Sequence, residues 1–504
     1  MNLLIDPWIP IQSNQEFKLI TLESLLCETE PIDNIVLNRD DMELACLQLL
    51  ICLTQVLFLP KDMQDLKIHI AKPLTKKAYK TGIKDYLEWF DLTHPTMPFM
   101  QTRGVKAKKT TSIQKLFIGL PAGNNHAFFN HPEEIKVASL SAVAIALFNQ
   151  AMNSPSFGGG FKGGFRGGAP ITTLISGTLI GQTKKTGSLR QIIWFNVLHQ
   201  ESVNELLLID DYNEIKAEDK PTWVVPIKEK SKISSTKIGL LRGLFWQPAH
   251  IELTIESQAA FCDFHGLKNQ KVVSGFKTEK FVYEIIGPWK HPHSPSTFEL
   301  KTKITRYRSF TTTAPAWTQF HYFIAPPEDN KNTYSVAKVV EQFNELFGNN
   351  FKFHLMIGGY RNKQALILQR KHELLPLAIG WDKNGKQVED FINQALLIKN
   401  QLRQKLYGFS KTIQINGLSE KAEYQFYQQS ESIILAHLTD IDWTKSNQSS
   451  EVIKQLTTEL ITLSWQIFTD ITRPYQHEGK MIQALVRTRR TLAHQFNKIK
   501  GEFA

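Results

Sequence analysis

Residues 380–386, GWDKNGK, divide the chain into two parts of different character. The Asn-Gly pair flanked by lysines reads as a turn and linker. Beyond it come four stretches, 387–409, 419–438, 449–472 and 477–500, with apolar residues three and four positions apart. Phe391, Leu396, Leu402 and Leu406 mark the first; Val452, Leu456, Leu460 and Leu463 mark the third. That spacing collects apolar side chains on one helical face. Gly408 and Asn416-Gly417 sit where the first helix stops, and Pro474 fixes the last boundary. Residues 387–504 are therefore expected to form a four-helix bundle.

Upstream, apolar runs, aromatics and frequent Pro and Gly alternate without one sustained period. The stretch 41–57 is apolar nearly all round and 139–151 similarly so, which predicts two buried helices. Stretches 191–197, 281–286 and 353–357 read as strands. The fold class expected is α+β: a large mixed domain over 1–379, a linker at 380–386 and the bundle over 387–504.

Composition narrows the function. With 42% apolar and 21% charged residues the chain is an ordinary globular protein. It holds no apolar run long enough to span a membrane, and MNLLIDPWIP lacks the pattern of a secretory signal, so a cytoplasmic protein is expected. Cys27, Cys46, Cys52 and Cys262 have no C-x-x-C spacing and read as reduced thiols. The net charge of +11 is unevenly spread: residues 101–168 hold eight Lys and Arg against two Glu, and residues 473–504 hold seven against two. Two basic concentrations on a near-neutral background form an electrostatic footprint for nucleic acid. The candidates for backbone contact are Lys106, Lys108, Lys109, Lys162, Arg166, Arg487, Arg489 and Arg490.

Residues 157–168, FGGGFKGGFRGG, put seven glycines among three phenylalanines and two cations. Glycine loses much conformational freedom on folding, so this run implies positive φ angles or close approach of a ligand. Gly158, Gly160 and Gly163 spell G-x-G-x-x-G, but the segment follows a helix and lacks the downstream acidic residue of a dinucleotide site. Lys162 is followed by Gly163, so no phosphate-cradling G-K-[ST] ending exists. Hydrolase, helicase and deaminase motifs are also missing, and no cofactor is expected. Cys262 and His265 form a C-x-x-H pair, two of the four ligands zinc requires. His291 and His293, in KHPHSP, read as a rigid surface turn.

Other segments suit contact. Phe128 and Phe129 lie in the polar stretch NNHAFFNHP, where they either stack on unpaired bases or pack in the core. Lys277 and Lys280 precede the strand expected at 281–286 and either reach a groove or are solvated. In GGYRNKQA, Gly358-Gly359 reads as the end of a strand, with a tight turn projecting Arg361, Asn362, Lys363 and Gln364.

Together, LLIDPWIP, RDDMELACLQLL, HPTMPFMQTRGVKA, FGGGFKGGFRGG, RGLFWQPAHIEL, WKHPHSP, TTTAPAWTQ and GGYRNKQA resemble the large-subunit (CasA) family of the type I-E CRISPR surveillance complex, Cascade, along essentially the whole chain. The resemblance implies a non-catalytic subunit that inspects duplex DNA for a protospacer-adjacent motif and helps open it for the guide. It assigns the glycine loop to Gly158, Gly159 and Gly160, the minor-groove lysine to Lys280 and the strand-separating wedge to Gln364. Lys363 stands where the family commonly has Asn, which alters the expected motif preference. A loop reaching the guide-RNA handle and a neighbouring subunit maps to 124–139, with Phe128, Phe129 and Asn130 as contacts. The implied partners are double-stranded target DNA, guide RNA, the handle-binding, backbone and small subunits, and a helicase-nuclease recruited in trans. Some members carry a four-cysteine zinc site; here its positions hold Cys262, His265, Ser139 and Ala142, so no metal is expected. The alternatives are a metal-dependent nuclease using Cys262, His265, His250, His291 and His293, and a general RNA-binding scaffold.

Overall fold

The structure, a computed structural model, describes all residues except 14, 15, 31, 33, 121–133, 159, 177–186, 301–303, 325–333, 348–352 and 502–504, and the side chains of 446 and 447. The chain forms two compact units. The first comprises Met1–Thr312, Thr333–Leu346 and Leu355–Leu374; the second comprises Thr313–Asn332, Phe347–His354 and Leu375–Ala504.

At the centre of the first unit lies α1 (Asp40–Leu57), buried along almost its whole length as its apolar circumference requires. It packs against α2 (Leu140–Met152), which is fully buried and is capped by Ser139, whose Oγ accepts from Ala142 N at 3.3 Å. The segment expected as a strand at 191–197 is instead helical, α3 (Leu189–Phe195). Its run of buried Ile192, Ile193, Trp194 and Phe195 has no period of its own. Ser188 and Gln191 form a reciprocal capping box that decides for helix.

Two sheets frame these helices. In one, β1 (Thr111–Ser112) and β2 (Ala138–Ser139) pair antiparallel with the long strand Gln270–Glu279. In the other, β3 (Thr172–Ser176) is an outer strand. β4 (His250–Ala260) and β5 (Gln270–Glu279) form the main antiparallel pair, placing Glu252 opposite Lys277 and His250 opposite Glu279. Lys277 therefore lies inside a strand rather than before one, and Lys280 follows the end of β5. The next strand, β6 (Tyr283–Ile286), starts later than expected and pairs in parallel with Ser231–Ser234.

β7 (Phe353–Lys363) and β8 (Leu366–Leu377) form a hairpin, with β3 on the other side of β7. The strand does not end at Gly358-Gly359 but continues to Lys363. Gly358 is needed for packing: a methyl group there would fall 2.1 Å from Leu44 Cδ2 of α1.

In the second unit, α4 (Gly385–Ile413), α5 (Leu418–Asp440), α6 (Ser446–Thr472) and α7 (Gly479–Gly501) pack on one another, the helical C-terminal part of an α+β chain. Their buried stripes include Phe391, Ile398, Leu402 and Leu406 on α4 and Ala422, Phe426, Ile434 and Leu438 on α5. Glu423 of α5 accepts from Lys399 at 2.7 Å and pairs with Arg403 at 3.1 Å, joining α4 to α5.

Candidate nucleic-acid interface

The glycine run leaves the end of α2 and is held by its aromatic rings. Phe157 contacts Phe276 of β5 at 5.9 Å between centroids and Phe161 at 5.7 Å; Phe165 stacks on Trp246 at 4.8 Å and lies 5.0 Å from Trp289. Between the pinned rings the backbone turns, with Phe161 N donating to Gly158 O at 3.0 Å. Gly158 and Gly160 have φ of +78° and +84°, a conformation L side chains rarely adopt. Gly159 lies outside the described residues.

This loop meets two other elements. A methyl group on Gly160 would sit 3.4 Å from Lys280 Nζ, and one on Gly158 would sit 3.4 Å from Ala365 Cβ. Ala365 and Gln364 form the two-residue tip of the β7–β8 hairpin. Gln364 is exposed with φ of +55°, and its carbonyl accepts from Asn362 Nδ2 at 2.5 Å. Lys363, also exposed, precedes it. Four segments far apart in sequence thus converge, because Lys106 N also donates to Glu279 Oε2 at 3.3 Å, beside Lys280. Lys106, Lys108 and Lys109 are all exposed just before β1.

Two of the expected phosphate contacts take other roles. Arg166 is 3% exposed and cannot reach a surface phosphate. Its guanidinium donates to Thr172 Oγ1, Ser294 Oγ, Asn153 Oδ1 and Met152 O, tying the end of the glycine run to the core. The alternation of glycine and cation gave no sign of this inward turn. Lys162 is exposed, yet its ammonium donates to Tyr283 O and lies 4.2 Å from the Tyr283 ring centroid, so it fastens the loop to β6.

A supporting network missing from the sequence expectations anchors the hairpin. Tyr360 of β7 is buried and donates to Asp41 Oδ2 at 2.8 Å while accepting from Asn149 of α2 at 2.9 Å. Asp41 also takes two hydrogen bonds from Arg39, at 2.9 and 2.7 Å, and one from Arg370 of β8 at 3.2 Å. Burial pushes the Asp41 carboxyl up, but the hydrogen bonds and charge of Arg39, with Arg370 and Tyr360, hold it below the usual range. RDD at 39–41 was a legible signal, being too acidic for the start of a wholly buried helix unless paired.

In the second unit Arg487, Arg489 and Arg490 are exposed on α7. Arg489 lies 5.9 Å from the Trp465 ring. Arg487 lines an open groove of about 820 Å³ between α4 and α7 together with Lys405 and Lys480. Phe128, Phe129 and Asn130 lie outside the described residues.

The metal candidates fall into separate places. His265 Nε2 is 2.8 Å from Ser139 Oγ and 3.2 Å from Ser141 Oγ, and Cys262 Sγ accepts from Ser139 N at 3.2 Å. Burial pushes the Cys262 thiol up, but the hydrogen bond and charge of His265 bring it down to about 7. One thiol, one imidazole and two hydroxyls do not fit a four-sulfur zinc site. His250 stacks on Phe281 at 4.2 Å. His291 and His293 are 2% and 1% exposed, not a surface turn: His293 Nδ1 lies 3.3 Å from Gln48 Nε2, and the charge of Arg166 acts on both rings. Among the described residues, no three His, Cys, Asp or Glu side chains are grouped to hold a metal ion. No helix among them is long and apolar enough to cross a membrane.

Comparison with solved structures gives the same fold throughout. Thermus thermophilus CasA (Cse1) matches with a TM-score of 0.73 at 16% identity, covering 100% of this chain and 99% of that one. Thermobifida fusca Cse1 matches with a TM-score of 0.76 at 15% identity, covering 99% and 98%. A chain of a CRISPR RNA-guided surveillance complex matches with a TM-score of 0.69 at 14% identity, covering 98% and 99%. The profile of the family described as CRISPR-associated protein Cse1 matches residues 2–467, in agreement with the resemblance carried by the sequence blocks. Spanning nearly the whole length in sequence and in fold, these matches place the chain in the CRISPR-associated protein Cse1 family.

Proposed function

We propose that this chain is the large, non-catalytic DNA-recognition subunit of an RNA-guided surveillance complex, and that it reads a short protospacer-adjacent motif in duplex DNA and starts strand opening. One observation carries the reading: the Gly158–Gly160 turn, Lys280 and the Gln364 hairpin tip meet at one place in the first unit. A turn of bare backbone admits close approach to a groove, a lysine beside it supplies a donor, and an exposed wedge stands next to both. The minor groove offers little beyond A·T against G·C, so several motifs will be accepted. Lys363 adds a cation beside the wedge and favours phosphate over base edges.

Opening DNA costs about 1.4 kcal/mol per base-pair step, and guide pairing roughly restores it, so only the first steps need protein help. Gln364 provides that help by filling the opened step. Guide RNA, handle-binding, backbone and small subunits are the proposed partners, through the segment 124–139 and the helical unit, with cleavage left to a helicase-nuclease in trans. The test is motif-dependent duplex binding by the reconstituted complex carrying Lys280→Ala or Gln364→Ala. Assembly should persist while binding to matched duplex weakens at least tenfold. Unchanged binding by both variants sinks the assignment, and failure to distinguish duplexes differing only in the motif triplet would favour a general RNA-binding scaffold.

A further inference from the structure

Behind the glycine run the first unit holds a buried cation, Arg166, whose charge no acid among the described residues offsets. Among the described residues Arg166 donates only to neutral acceptors, two hydroxyls, an amide and a backbone carbonyl, and its Nε has no partner there. Buried charges are ordinarily paired, so an unmatched guanidinium calls for a counter-charge nearby. Ser294, which accepts from Arg166 at 2.5 Å, forms part of the wall of a cavity of about 260 Å³. His291, Ser296, Tyr307, Ser335 and Lys338 also line it.

The hydrogen-bonding inventory of that wall has surplus donors. His293 N donates to His291 Nδ1 at 3.1 Å, so in the neutral ring the proton sits on Nε2, and this buried N–H has no acceptor among the described residues. Ser296 Oγ and Ser335 Oγ lie 2.7 Å apart; one hydroxyl proton bridges them and the other remains to be used. Lys338 donates to Glu205 at 2.7 Å and pairs with Glu341 at 3.2 Å, leaving its third proton. The two glutamates do not make the cavity acidic: their side chains are 59% and 51% exposed and already engaged by Lys338, whereas Arg166 is sealed from water.

We propose that this cavity is a binding site for a small tetrahedral oxyanion of the phosphate class. The ligand would accept from His291 Nε2, a serine hydroxyl and Lys338, and would place negative charge in front of Ser294 and Arg166. None of the residues lining the cavity belongs to the DNA-reading surface. Its occupancy would stiffen the anchorage of the end of the glycine run, which Arg166 ties to the core beside the ring contacts of the phenylalanines and the Lys162 contact with Tyr283.

The experiment uses the full chain and inorganic phosphate, with chloride matched for ionic strength, and follows ³¹P line broadening and the melting temperature. Wild type should show saturable broadening and a melting temperature raised by several degrees. Ser335→Glu, at an exposed strand residue, places a competing carboxylate at the donors and should weaken phosphate binding at least tenfold while circular dichroism stays unchanged. His291→Phe should do the same by removing the N–H. Phosphate binding of equal strength in wild type and Ser335→Glu overturns the proposal, because it places the anion elsewhere on the basic surface. No saturable broadening above the chloride control also overturns it.

Discussion

Gln364 is held in a backbone conformation that costs a non-glycine residue roughly 1–2 kcal/mol, with φ of +55° at the tip of a two-residue turn. A glycine would serve the turn better, so the side chain at this place is retained against local stability. Replacing it separates fold from function: Gln364→Gly should melt at the same temperature or slightly higher, yet lose strand opening. Thermal melting of the chain and permanganate reactivity of thymines beside the motif, in the assembled complex, are the two measurements. Equal permanganate reactivity in variant and wild type would show that the wedge acts through its backbone alone. Gly160 makes the opposite case. Gly160→Val adds a β-branched side chain at φ of +84° and crowds Lys280 Nζ, so it should lower both stability and motif binding. Binding by that variant at wild-type strength would remove the glycine turn from the reading surface.

The hairpin bearing Gln364 is positioned by elements that never touch its tip. Asp41 joins α1 to β7 and β8 through Tyr360 and Arg370, so Asp41→Asn leaves Arg39 without its charge partner and should cost about 3–5 kcal/mol. Denaturant unfolding measures it, and a loss below 1 kcal/mol would mean that the network is dispensable. Burial acts on a second pair: it lowers the pKa of His293 from its ordinary 6.5 to about 3 and that of His291 in the same direction. Both rings are neutral in the fold and charged in the unfolded chain at mildly acidic pH. Their contribution to stability is full above pH 6.5 and falls as the pH drops toward 3, by up to about 1.4 kcal/mol per pH unit for each ring. The melting temperature should decline from pH 6.5 to 5, before most carboxylates titrate, and His293→Gln should flatten that decline. The long helices were legible because 3.6-residue spacing over twenty or more residues leaves little choice, as Phe391 to Leu406 shows. The short ones were not: 191–197 needed the Ser188–Gln191 cap to decide it. The candidate site was legible at Lys280 and Gln364 from motif resemblance, but Arg166 turns inward for acceptors supplied by α2, Thr172 and Ser294, which no local pattern reveals.

At the scale of the whole molecule, the excess positive charge separates by unit, with residues 101–168 in the first and 473–504 in the second, while the remaining residues balance. Phosphate contacts hold a duplex without reading it, so the exposed cations among them, Lys106, Lys108, Lys109, Arg487, Arg489 and Arg490, should govern affinity and its salt dependence while the glycine turn and wedge govern choice. With about six phosphates neutralised, log affinity of the assembled complex should fall against log salt with a slope near −5. Removing Lys106, Lys108 and Lys109 together by substitution to Ala should reduce that slope by about 2 to 3 if each meets a phosphate. The ratio of affinities for motif-bearing and motif-free duplexes should stay the same, because no base contact has been lost. Arg487, Arg489 and Arg490, exposed on α7 in the other unit, make the informative comparison. Their triple substitution should leave the slope for short duplexes ending at the motif unchanged and lower it only for substrates long enough to supply an opened strand. A fall in the affinity ratio on removing the three lysines would mean that they read bases, and the division between holding and choosing would then have to be drawn elsewhere on the first unit.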